Sequence, residues 1–169
     1  FLIRLFTLYG FSSLKKELSK VDQTRLYLTD WQEQSLQSLI GTTHEVRLLN
    51  QLDQKRVAAE CAKWIRGKIE VKASLTKQVT QNLIHLKSKQ VSFAIHGSAT
   101  ISPIGLGDIG SNSLQMNMGL TDTESSQQLL TWFDSIWADE INSKSIKKEL
   151  IEKLDYIAAD QPANIVYFL

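Results

Sequence analysis

The sequence predicts an α/β domain in which a mixed β-sheet is flanked by helices. Three observations carry this expectation: short segments that alternate with period two, intervening segments with apolar residues at 3/4 spacing, and one pair of strand-like segments at hairpin separation. Phe1 to Leu8 reads as a buried strand, an apolar run stopping at Gly10. Phe11 to Ser19 suits a short helix with Ser12 or Ser13 as N-cap and Leu14 and Leu18 on one face. Arg25 to Thr29 alternates as a second strand. Thr43 to Gly67 is the longest helical pattern, with Leu48, Leu49, Leu52, Val57, Ala59, Cys61, Ala62, Trp64 and Ile65 forming a broad apolar stripe and Gly67 as C-cap. Ile69 to Ala73 follows as a strand.

Leu83 to Lys87, a polar turn at Ser88-Lys89-Gln90, and Val91 to His96 form the hairpin signature. A Gly-rich loop, Gly97 to Ser113, leads into the alternating strand Leu114 to Leu120. Thr121 to Glu124 has the form of a capping box and opens a helix with Leu129, Leu130, Phe133, Ile136 and Trp137 on one face. A last amphipathic helix carries Ile146, Leu150, Leu154 and Ile157. Trp64, Phe133 and Trp137 are expected in the core.

At 169 residues with 43% apolar and 22% charged residues, the chain is expected to form a single domain, 1–169, with a core that needs no staples. It reads as a piece cut from a longer polypeptide. The single Cys61 excludes an internal disulfide framework and has no companions at zinc-ligand spacing. A reducing, cytoplasmic setting is therefore expected, with no metal. No apolar run approaches the roughly 20 residues of a membrane helix, so no membrane partner is expected. Formal net charge is +1, but the distribution is uneven. Lys63, Arg66, Lys68, Lys72, Lys77, Lys87 and Lys89 face one acid, Glu70, between positions 63 and 89, whereas positions 90 to 142 hold no Lys or Arg and six acids. Such a basic stretch attracts phosphates, and it is equally what a solvated helix and hairpin present.

Gly105-Leu-Gly107-Asp-Ile-Gly110 has the spacing of a dinucleotide fingerprint. It lacks the required context, because a strand rather than a helix is expected after it. Of the three histidines, His44 reads as a surface or capping residue and His96 as a strand-end residue. His85-Leu-Lys87 is the one H-x-K in the chain, and period-two geometry places both side chains on one sheet face. An imidazole nucleophile beside an ammonium suits attack on a phosphodiester. A histidine and a lysine two apart on a strand are also common by chance.

The hairpin, the passage Ala94-Ile-His-Gly-Ser98-Ala-Thr-Ile-Ser102-Pro-Ile-Gly-Leu-Gly107, Asn112-Ser-Leu-Gln-Met-Asn117, and the helix ending Trp132-Phe-Asp-Ser-Ile-Trp137 together resemble the phospholipase D-like superfamily. The variant most similar is the domain found N-terminal to Swi/Snf-type helicases of bacteria and archaea. Leu49 to Gln54, Glu60 to Ile65 and Ile165 to Phe168 also look like that subfamily. The family pattern is H-x-K, a hairpin, then a Gly-Ser pair followed by Asn. Gly97-Ser98 match the pair, and Thr100 stands for the asparagine. The shorter family spacing places Leu83 and His85 at the His and Lys positions, and the longer one places Thr80 and Asn82 there. Gln115 stands where a later Glu is usual.

The resemblance thus implies a phospholipase D-like mixed sheet with a degenerate site of Thr80, Asn82, Gly97, Ser98, Thr100 and Gln115, no catalytic residue and no cofactor. It further implies a module that assists nucleic-acid engagement or assembly of a larger ATP-dependent helicase or translocase, with the helicase domain in the same chain. Nucleic-acid contacts are expected at Lys72, Lys77, Lys87 and Lys89. The alternative is a metal-independent phosphodiesterase or nuclease acting through His85 and Lys87, as a homodimer with a composite site. A third reading is a purely structural domain.

Overall fold

A computed structural model describes residues 1–41, 51–67, 69–76, 79–98, 100–108, 110 and 114–159. Their centre is a seven-stranded mixed sheet. The strands are β1 (Leu2–Ile3), β2 (Thr24–Leu28), β3 (Ile69–Ser74), β4 (Asn82–Lys87), β5 (Ser92–Gly97), β6 (Asn117–Leu120) and β7 (Ser143–Ser145). Their order across the sheet is β6-β5-β4-β1-β2-β3-β7. β1, β2 and β3 are parallel, and every other neighbouring pair is antiparallel. The expected α/β class and the expected hairpin are both present, with Ile84 opposite Ile95 and His85 opposite Ala94.

The helices are α1 (Leu8–Leu18), α2 (Leu36–Ile40), α3 (Gln51–Arg66), α4 (Pro103–Leu106), α5 (Thr123–Ala138) and α6 (Lys147–Ala158). Side chains alternate across the sheet, so β1 and β2 feed two cores, one on each face. Ile3, Leu26, Leu28, Ile69, Val71 and Ala73 pack with Leu8, Phe11, Ala58, Cys61, Ala62, Ile65, Leu150 and Leu154 of α1, α3 and α6. Leu2, Tyr27, Leu83 and Ala94 point the other way and are covered by Phe133 and its neighbours on α5. Among the described residues, no helix is long and apolar enough to cross a membrane.

Several boundaries differ from the sequence reading. The opening strand is confined to Leu2–Ile3, and α1 starts at Leu8 rather than Phe11. Thr7, not Ser12 or Ser13, is the N-cap, its hydroxyl accepting from Gly10 N–H at 3.1 Å. A largely buried apolar run carries little periodicity that separates strand from helix. Gly10 does not end the strand; it lies inside α1, where a Cβ would come within 2.2 Å of the Ile101 carbonyl oxygen. Helix α5 is capped one residue later than expected, by Asp122, whose carboxylate accepts from Ser125 N–H at 2.7 Å. The predicted strand 114–120 pairs only over Asn117–Leu120.

Phe133 is buried as expected, but Trp64 and Trp137 are only partly so. Trp64 lies against Phe11 with ring centroids 5.3 Å apart, and Trp137 caps Phe133 at 5.7 Å, so both close the edges of the cores. The G-x-G-x-x-G stretch is taken up by α4: Gly105 lies within it and Gly107 ends it at φ 82°. His44, Lys68, Lys77, the start of the long helical pattern and the 165–168 segment fall outside the described residues.

Candidate functional site

Of the resemblance-derived residues, Asn82, Gly97 and Ser98 lie on one rim at the end of the β4–β5 hairpin away from its turn, beside the C-terminal end of β1. Asn82 pairs with Gly97 across the strands. Asn82 is buried, and its Oδ1 accepts from Arg4 N–H at 2.8 Å. That bond ties the hairpin to the main chain leaving β1. Gly97 has φ 152°, and a Cβ there would lie 2.3 Å from the Met116 carbonyl oxygen, so the crossing of 97 over 116 requires glycine.

Ser98 and Met116 clasp each other. Ser98 N–H donates to the Met116 carbonyl at 3.2 Å, Met116 N–H donates to Ser98 Oγ at 3.2 Å, and the Ser98 hydroxyl donates back to the same carbonyl at 3.3 Å. Thr100 Oγ1 lies 2.9 Å from Ser102 Oγ, and Ser102 caps α4 by accepting from Gly105 N–H at 3.1 Å. The hydroxyls of Ser98 and Thr100 therefore fix their own loop. Thr80, two residues before Asn82, and Gln115, next to Met116, are exposed.

Arg4 belongs to this rim and was not singled out from the sequence. It is the one charged residue between Phe1 and Gly10, which was the available signal: a cation persisting in an otherwise apolar run. Its side chain is 65% exposed, with Nε 3.7 Å from Asp30 Oδ2, a loose pair that leaves most of its donors to solvent.

His85 and Lys87 do not join this constellation. His85 sits three rows and Lys87 five rows from the Asn82–Gly97 pair, which at about 3.3 Å per residue is about 10 and about 16 Å. His85 Nε2 lies 3.1 Å from both Ser92 Oγ and Ser126 Oγ, and the two hydroxyls are 2.8 Å apart. Both serines are buried, Ser126 completely. Burial lowers the imidazole pKa below its ordinary value, and the Lys87 ammonium adds to the effect. With its Nε2 held between a hydroxyl of β5 and a hydroxyl of α5, His85 docks that helix onto the sheet. Ser126 was missed in the sequence although it occupies a position of the apolar stripe, three and four residues before Leu129 and Leu130.

The basic stretch is contiguous only in sequence. Lys63 and Arg66 are exposed on α3, on the opposite face of the sheet from Lys72. Lys72 Nζ donates to the Trp137 carbonyl at 2.8 Å and lies 5.3 Å from the centre of its indole. Lys87 and Lys89 are exposed at the hairpin turn. Among the described residues, no group of three His, Cys, Asp or Glu could hold a metal ion. Cys61 is buried, which pushes its thiol pKa far up and leaves it unreactive.

No model of a known protein family matches the chain, and no curated protein matches it significantly. The fold and the rim define a mixed α/β domain. Its polar loop residues at the C-terminal end of β1 are held by hydrogen bonds among themselves.

Proposed function

We propose that this domain is a catalytically degenerate phospholipase D-like module that contacts nucleic-acid phosphates, in service of a larger ATP-dependent helicase or translocase. The observation that carries the reading is the meeting of Asn82, Gly97 and Ser98 on one rim, while the register sets His85 three rows and Lys87 five rows away from it. A phosphoryl-transfer nucleophile must form a covalent intermediate, and the developing charge must be offset. Thr80 offers a hydroxyl that needs a general base to activate it, and Asn82 carries no charge. Asn82 instead holds the backbone of Arg4. Arg4 on the rim and Lys87 and Lys89 at the turn are the cations offered to a phosphate backbone.

Two measurements test the reading. In EDTA, turnover of bis-nitrophenyl phosphate and of short DNA should be absent. Binding to DNA should be weak, indifferent to sequence, and steeply dependent on salt. Three phosphate contacts give a log–log slope of about −2 to −3, and reversing Lys87 and Lys89 should reduce it to about −1. Metal-independent turnover abolished by His85→Ala but not by Thr80→Ala would restore the phosphodiesterase alternative. No binding at low salt would leave only a structural role.

A further inference from the structure

We propose that β6 pairs with β6 of a second copy of this chain, joining two seven-stranded sheets into one continuous sheet. Among the described residues, β6 is the last strand on its side of the sheet. Proteins commonly guard such an edge with charges, proline or a bulge. Here positions 109 to 121 hold no charged residue and no proline. Leu114, Met116 and Met118 are 103%, 81% and 57% exposed. Three large apolar side chains alternating through β6 and the residues that lead into it, on an edge that no described strand covers, mark an interaction surface.

The sequence of the edge selects the occupant. Leu114-Gln-Met-Asn117-Met-Gly-Leu120 is a palindrome about Asn117 except at Gln115 and Gly119. Antiparallel pairing about a two-fold axis at Asn117 sets residue 117 − k of one copy opposite 117 + k of the other. Met116 then faces Met118 of the second copy, and Leu114 faces its Leu120. A strand of unrelated sequence would match this row only by chance, whereas a second copy matches it by symmetry.

The backbone agrees with this register. Met116 turns both its N–H and its C=O toward Ser98 on the β5 side. Alternation along an antiparallel strand directs Met118 and Leu120 the same way and points the main chain of Gln115 and Gly119 toward the open edge. In the proposed register Gln115 and Gly119 of opposite copies form hydrogen-bonded pairs. The methionine and leucine pairs fall at the closer, non-hydrogen-bonded positions, with Cβ atoms about 4.5–5.5 Å apart. Met118 lies opposite His96, and Leu120 opposite Ala94. The new apolar row therefore continues the core under α5, where Leu120 already packs.

Sedimentation velocity on the 169-residue chain tests the pairing, with circular dichroism and melting temperature as controls for folding. The expected species has twice the 19.1 kDa mass of the chain. Met116→Lys with Met118→Lys sets like charges opposite each other and should give a folded monomer. Met116→Lys with Met118→Glu sets lysine opposite glutamate in the same register and should restore the dimer. This charge exchange separates loss of pairing from loss of folding. A wild-type chain that stays monomeric up to about 100 µM, the range of a weak, small interface, overturns the proposal. So does a dimer that survives the double lysine variant. A monomer whose Gly119 amide is slow to exchange would mean that another segment of the chain covers the edge, and would equally overturn it.

Discussion

Replacing Gly10 by alanine should destabilise this protein, against the helix-propensity expectation. Within a helix, alanine is favoured over glycine by about 1 kcal/mol. At Gly10 the new methyl would meet the Ile101 carbonyl oxygen at 2.2 Å, the Ile101 carbonyl carbon at 2.4 Å and Ser102 N at 2.6 Å. Reaching an ordinary contact requires a shift of about 1.2 Å between α1 and the 101–102 backbone. That backbone is not free to yield. Its Ile101 carbonyl accepts from Thr7 N–H at 2.9 Å, its Ile101 N–H donates to Leu5 at 3.2 Å, and Ile101 is bridged to Phe6. Overpacking costs about 1–3 kcal/mol, and each buried hydrogen bond broken without replacement costs about 1–3 kcal/mol more. Set against the propensity gain, the net loss is about 2–4 kcal/mol. For a chain of this size that lowers Tm by about 5–15 °C. Urea unfolding followed by circular dichroism measures it. Gly110→Ala, where a Cβ meets nothing within 4 Å, serves as the control and should leave stability unchanged or slightly raised. Unchanged or increased stability in Gly10→Ala would refute the close packing of α1 on the 101–102 backbone that follows the candidate rim.

The His85 cluster predicts an acid-sensitive fold. Because burial holds the folded-state pKa of His85 below its unfolded value of about 6.5, the neutral form is favoured on folding, and stability falls as pH drops below about 6.5 toward the folded-state pKa. The urea midpoint of the wild type should fall more between pH 7.5 and 5.5 than that of His85→Gln; equal falls would exclude His85 as the cause. Phe133→Ala, at a buried position that carries α5 onto Leu2, Tyr27, Leu83 and Ala94, should cost about 3–5 kcal/mol. The smaller loss expected for Trp64→Ala, at a partly buried edge, is checked by the same titration.

The sequence by itself determined the α/β class, the hairpin and the faces of the main helices, because side-chain periodicity follows directly from the geometry of strands and helices. The phases of Leu83, His85 and Lys87, and of Leu129, Phe133 and Trp137, were legible for that reason. It could not place the start of α1, since the run from Phe1 to Phe11 is apolar apart from Arg4, Thr7 and Gly10 and carries no clear period. It also could not tell which polar residues meet. The period-two pattern sets His85 and Lys87 on one sheet face, but the antiparallel register carries both toward the turn and leaves Asn82 facing Gly97. The lowered pKa of His85, its two serine partners, and the arrival of Arg4 at the Asn82 end are consequences of strand order and of α5 crossing the sheet. Only tertiary structure decided them, because hydrogen bonding and desolvation depend on which atoms share a volume rather than on their separation along the chain.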